Sequence, residues 1–152
     1  MPRIRLNLAI LIVLAALLAA CGPDGELPPE VENTAFLIVD DVLGRALDSR
    51  QGSGGAYQHG DLEVLRWEPK ALSASAEADN VTGLWCLDVG YSISATSGEG
   101  AGEPSDAQLI VLVFEQGGSD YGGGEWQPDT STVDLGSLDE YNQYAWEDCL
   151  EH

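Results

Sequence analysis

The sequence predicts an α+β domain: an N-terminal helix packed on an antiparallel sheet of four or five strands, with a short C-terminal helix closing the fold. Three observations lead there. Apolar residues recur at helical spacing after Asn33, later stretches alternate with period two, and Ser137-Leu138-Asp139-Glu140 has the form of a capping box. Residues 33–152 are enough for one domain with a single core and too few for two comfortable ones.

The first helix is read from Phe36, Val39, Leu43 and Leu47, with Asp40, Asp41, Arg45 and Asp48 among the polar positions. Asn33 or Thr34 can cap its start, and Gly52 is placed to end it. Gly52-Ser53-Gly54-Gly55 leads to His59 without a lysine or a Walker pattern, so it reads as a surface loop rather than a phosphate cradle. From Asp61 to Glu68 the chain alternates, with Leu62, Val64 and Arg66 opposite Glu63, Leu65 and Trp67, until Pro69 stops it. Leu72, Ala74, Ala76 and Ala78 alternate with Ser73, Ser75, Glu77 and Asp79, which predicts a second strand with one wet face.

The clearest strand follows Asn80-Val81-Thr82-Gly83. Trp85, Leu87, Val89, Tyr91, Ile93 and Ala95 share one face, and Cys86, Asp88, Gly90, Ser92 and Ser94 share the other. Ala107 to Gln116 is apolar on both faces from Leu109 to Phe114, as expected of a central strand covered on both sides. The capping box then opens a final helix with Leu138, Tyr141 and Ala145 on one stripe, ending near Cys149.

Ahead of this domain, Arg3 and Arg5 are the only charges before Asp24, and an apolar run extends from Leu6 to Ala20, broken by Asn7. That run falls short of the roughly 20 residues a membrane-crossing helix needs, and its flanks fit a removable export signal. Leu18-Ala19-Ala20-Cys21-Gly22 resembles the lipobox of bacterial lipoproteins. The resemblance covers residues 1–22. It implies a signal peptide over 1–20, a diacylglycerol joined through a thioether to Cys21, cleavage before that residue and a further acyl group, commonly palmitate, on the new amino end. Residues 21–32, with Pro23, Pro28 and Pro29, then read as a lipidated tether. Gly22 in place of a retaining aspartate favours the periplasmic face of an outer membrane, where the cell has two membranes.

With Cys21 taken by lipid, Cys86 and Cys149 remain as an even pair in an oxidising compartment, and they read as a disulfide. A metal pair would want a C-x-x-C spacing and nearby histidines, which this chain lacks. Because Cys86 lies opposite the Trp85 face, the segment carrying Cys149 is expected on the second side of the sheet or at its end.

Charge narrows the partners. The chain has 26 acidic and 6 basic residues, a formal charge of −20, and the leader removes two of the bases and none of the acids. Nucleic acid is excluded for want of a Lys/Arg stripe. Anionic headgroups would repel the domain, which leaves membrane affinity to the acyl chains. The carboxylates themselves read as a solubilising or salt-adapted surface, as a patch for a basic protein partner, or as calcium sites. Asp129 to Glu140 is no EF-hand: Val133 takes a ligand position and Asp134 stands where glycine is required.

Two histidines, no serine elbow, no HExxH and no phosphate loop leave no catalytic constellation, so the chain is read as a non-enzyme without a cofactor. Its expected role is protein binding or assembly at the cell envelope. The alternative is a lipoprotein that binds a glycan or calcium through the glycine-rich loop holding Asp120, Tyr121, Glu125 and Trp126.

Overall fold

A computed structural model describes residues 25–51, 57–96 and 102–152. Helix α1 (Pro29–Gln51) is followed by β1 (Tyr57–His59), β2 (Glu63–Pro69), the short α2 (Ala74–Ala78), β3 (Val81–Ala95), β4 (Ser105–Gln116), β5 (Asp120–Glu125) and α3 (Leu138–Glu151). All strand pairings are antiparallel, in the order β1-β3-β4-β5, and β2 pairs with β3 on the same edge as β1. The architecture is α+β, with α1 on one face of a five-stranded sheet and α3 on the other. Among the described residues no helix is long and apolar enough to cross a membrane.

Helix α1 begins at Pro29, four residues before the predicted Asn33. Proline suits a first helical position because its fixed φ is helical and it has no N–H to leave unpaired. The Pro28 carbonyl accepts from the N–H groups of Val31 and Glu32 at 3.0 and 3.2 Å, while Glu30 and Glu32 sit where the helix dipole favours anions. The buried stripe is Val31, Ala35, Val39, Leu43 and Leu47, and Phe36 lies half-buried beside it. Leu87 and Val89 of β3 and Val111 and Val113 of β4 meet this stripe in the main core. Gly52, expected to end the helix, lies outside the described residues.

Period two holds through β3 and β4. Odd-numbered Trp85, Leu87, Val89 and Tyr91 belong to the α1 side, whereas Cys86 joins Ile110, Ala145, Trp146 and Cys149 on the α3 side. β4 alternates in the same way: Leu109, Val111 and Val113 go to one core and Ile110 and Leu112 to the other. It is the doubly covered central strand that its apolar run predicts.

β2 departs from simple alternation. Val64 opposes Val89 and Arg66 opposes Asp88, so Leu65 is an extra residue in a bulge. The bulge puts Trp67 on the Val64 side, against the core of α1, instead of on the Leu65 side. Leu65 is turned onto Gly90, where a β-carbon would lie 3.0 Å from its methyl groups.

The predicted strand over Leu72 to Asp79 is instead the helix α2. Ser73 accepts from the Ala76 N–H at 3.2 Å as an N-cap, and none of the helix's residues is buried. Alternating Ala and Ser/Glu carries no β-branched or aromatic side chain to favour a pleated surface, and alanine is the strongest helix former. Asn80, with φ 61°, ends the turn in the left-handed region that asparagine tolerates, and β3 starts directly after it.

Candidate functional site

The residues with chemistry gather on the α3 face of the sheet. Helix α3 starts at the predicted capping box: Ser137 Oγ accepts from the Glu140 N–H at 3.2 Å and Glu140 Oε2 accepts from the Ser137 N–H at 3.1 Å. Its buried side chains are Asn142, Ala145, Trp146 and Cys149. Cys149 is bonded to Cys86 with a Cα–Cα separation of 6.2 Å, on the second side of the sheet as the strand parity requires.

Two cations from the opposite edge reach across to this helix. Arg66 lies 4.4 Å over the Trp146 ring, donates from Nε to Asp88 Oδ2 at 2.9 Å and from Nη1 to Gln143 at 3.3 Å. Lys70 lies 5.3 Å from the Trp126 ring centroid and donates from Nζ to the Cys149 carbonyl. Desolvation lowers the Lys70 pKa, opposed by the negative charge of Asp148. Asp148 in turn accepts from Trp126 Nε1 at 2.9 Å.

Asp88 is the buried charge of this face, 2% exposed. Its Oδ2 is held by Arg66, while Oδ1 has no hydrogen-bond partner among the described residues. Burial raises the Asp88 pKa, and the hydrogen bond and charge of Arg66 pull it back.

Two residues further along the same face, at Gly90, a groove of about 610 Å³ opens beside the first turns of α3. Gly90 and Ser92 of β3 and Gln108 of β4 line it, with Leu65 packed over Gly90. Its carboxylates are Asp61 and Glu63 at the start of β2, Asp106 of β4 and Asp139 of α3, and among the described residues no Lys, Arg or His lines it. Leu138, read from sequence as a core position, is 64% exposed. It stands one helical turn before Asn142 on the same stripe, and both residues line the groove rather than the core. Asn142 is 6% exposed, and its amide makes no hydrogen bond among the described residues. Leu65 is a second exposed apolar side chain here, at 52%.

The glycine-rich segment has become the β4–β5 hairpin, turning through Gly117 and Gly118 at φ 64° and 80°. Tyr121 packs on the α1 side and donates to Glu115 Oε1 at 3.3 Å; burial first, and then the Glu115 carboxylate, raise its pKa. Trp126 packs on the α3 side. Asp120 is exposed at the start of the strand, and Glu125 at its end accepts from Gln127 at 3.1 Å. These four residues therefore do not converge. His59 is engaged in packing the fold, with Nε2 3.0 Å from Asp40 Oδ1 on α1. Cys21 and the export signal lie outside the described residues.

No protein family, curated protein or solved structure matches this chain. Among the described residues no group of three or more His, Cys, Asp or Glu side chains lies close enough to hold a metal ion. The groove was missed from sequence because its residues come from several segments separated by up to 81 positions, from Asp61 to Asn142, and no local motif marks them. One signal was available: Asn142 falls on the apolar stripe of the final helix, where a polar residue is out of place.

Proposed function

We propose that this chain is a membrane-anchored envelope lipoprotein whose acidic domain acts by binding another protein, without catalysis of its own. The observation that carries the anchoring is Leu18-Ala19-Ala20-Cys21 at the end of an export signal. Acyl chains on one cysteine bind additively, at about 0.8 kcal/mol per buried methylene, so two or three hold a domain that anionic headgroups repel. The Cys86–Cys149 bond agrees with export to an oxidising compartment. A partner with a basic surface is favoured by the surplus of acids, which steers such a partner by long-range attraction.

Replacing Cys21 tests the anchor. Cys21→Ser supplies no thiolate for the thioether, so the variant accumulates as an unlipidated precursor that stays out of the detergent phase. Normal processing and detergent-phase partitioning of that variant would overturn the reading. For the binding role, a pull-down from envelope extracts recovers a basic protein that dissociates as salt is raised; recovery of nothing salt-sensitive counts against it.

A further inference from the structure

We infer that the groove at the start of α3 is a docking site for an extended, arginine-bearing segment of a partner protein. The inference rests on the protein-binding reading above and names its surface and ligand chemistry. Four carboxylates from three segments, the start of β2, β4 and the first turn of α3, converge on one groove that no Lys, Arg or His among the described residues lines. The α3 N-terminus contributes a partial positive charge of roughly half an electron, which four carboxylates outweigh.

Acidity alone would describe many surfaces of this chain, but Asn142 sets this one apart. Asn142 is 6% exposed as a residue and lines the groove, and its amide makes no hydrogen bond among the described residues. A side-chain amide at the wall of a groove with no protein partner offers its carbonyl and its two N–H groups to a ligand. Its carbonyl, together with neighbouring carboxylates, matches the planar fork of donors on a guanidinium better than the single ammonium of lysine. Leu65 and Leu138 offer apolar surface beside the charges, suited to the arginine stem or to an apolar neighbour in the segment. The volume falls within the roughly 300–1,000 Å³ of ligand sites, and with no metal-holding cluster among the described residues the carboxylates suit an extended cation better than a point charge.

The test uses the full chain in neutral detergent and a fluorescein-labelled, end-blocked peptide, Gly-Leu-Arg-Leu-Arg-Gly, followed by anisotropy. The groove variant carries Asp61→Asn, Glu63→Gln, Asp106→Asn and Asp139→Asn, all at exposed positions. A control variant removes the same charge elsewhere, through Asp48→Asn, Glu77→Gln, Asp79→Asn and Asp134→Asn, also exposed. Saturable binding is expected to weaken about tenfold or more in the groove variant and less than about threefold in the control. Replacing both peptide arginines by citrulline should weaken binding to the unaltered chain to a similar degree as the groove variant does. Equal weakening by both variants, or equal binding of the citrulline peptide, would show bulk polyanion attraction and overturn the site. If the arginine peptide fails to bind while salt-sensitive capture of a basic envelope protein persists, the groove assignment falls and the protein-binding role stands; loss of both removes both.

Discussion

Cutting the bond between Cys86 and Cys149 should cost this domain about 4 kcal/mol. The estimate comes from the sequence separation of 63 residues, because closing a loop of that length removes about 14 cal/mol/K of entropy from the unfolded chain. For a domain of this size each kcal/mol moves the melting midpoint by roughly 4 °C, so full reduction should lower it by about 15 °C. Reduction with excess dithiothreitol leaves both sulfurs in place and isolates the crosslink. Cys86→Ala with Cys149→Ala also removes packed atoms and should fall lower by about 1 kcal/mol or more. The loss should be uneven across the fold. Without the crosslink α3 keeps Trp146 and Ala145 in their cluster and the ring contacts of Arg66 and Lys70, whereas β3 and β4 retain the separate core under α1. Circular dichroism melts and hydrogen exchange, with reduction verified by alkylation, read both effects: α3 amides should lose protection before those of β3 and β4. A shift below about 5 °C, or even loss of protection in the sheet and α3, would refute the account of α3 as a helix pinned at its last turn.

Two further substitutions probe the same face. Burial holds the Asp88 pKa above its ordinary value even with Arg66 on one oxygen and Gln143 and Trp146 around that arginine, so the folded state binds this proton more tightly than the unfolded state. The stability this adds is fully present below the ordinary carboxylate pKa and is lost as pH rises through the raised one. Melting curves should accordingly show wild type at its best relative to Asp88→Asn in acid, with that advantage shrinking towards neutrality; a difference independent of pH would refute the shift. Asn142→Leu keeps a similar shape and removes the amide from the groove wall, so its melting point should stay within about 5 °C of wild type. The same variant should bind the arginine peptide more weakly, and unchanged binding would mean that the amide takes no part in the site.

The large elements were legible because their periodicities coincide with burial. Leu87, Val89, Val111 and Val113 alternate in sequence and meet α1 in space, and the same parity put Cys86 on the side where Cys149 is found. Errors arose where local chemistry outweighed pattern. Pro28-Pro29 reads in sequence as tether, yet Pro29 opens α1, because proline fits a first helical turn. In Ser73 to Asp79 the alternation was real, but no buried face held it extended, and a serine cap decided for helix. Leu65 escaped the pattern through a bulge that only pairing with β3 reveals. The groove depends on all three dimensions: its acids are brought together by β2, β4 and α3, and no spacing along the chain anticipates that.

The division of labour along β3 bears on how copies of this protein tolerate crowding. One side of this fifteen-residue strand is covered by two short pieces, β1 against Ile93 to Ala95 and β2 against Trp85 to Gly90, interrupted at Gly60 to Leu62. A broken, bulged border that ends in Pro69 gives an approaching chain no long straight row of amides and carbonyls to pair with. The far border, β5, is six residues long with Asp120 and Glu125 at its two ends, so identical copies meeting there bring like charges together. Both margins thus discourage sheet-to-sheet addition, and dense arrays of such molecules can remain separate particles instead of seeding fibres.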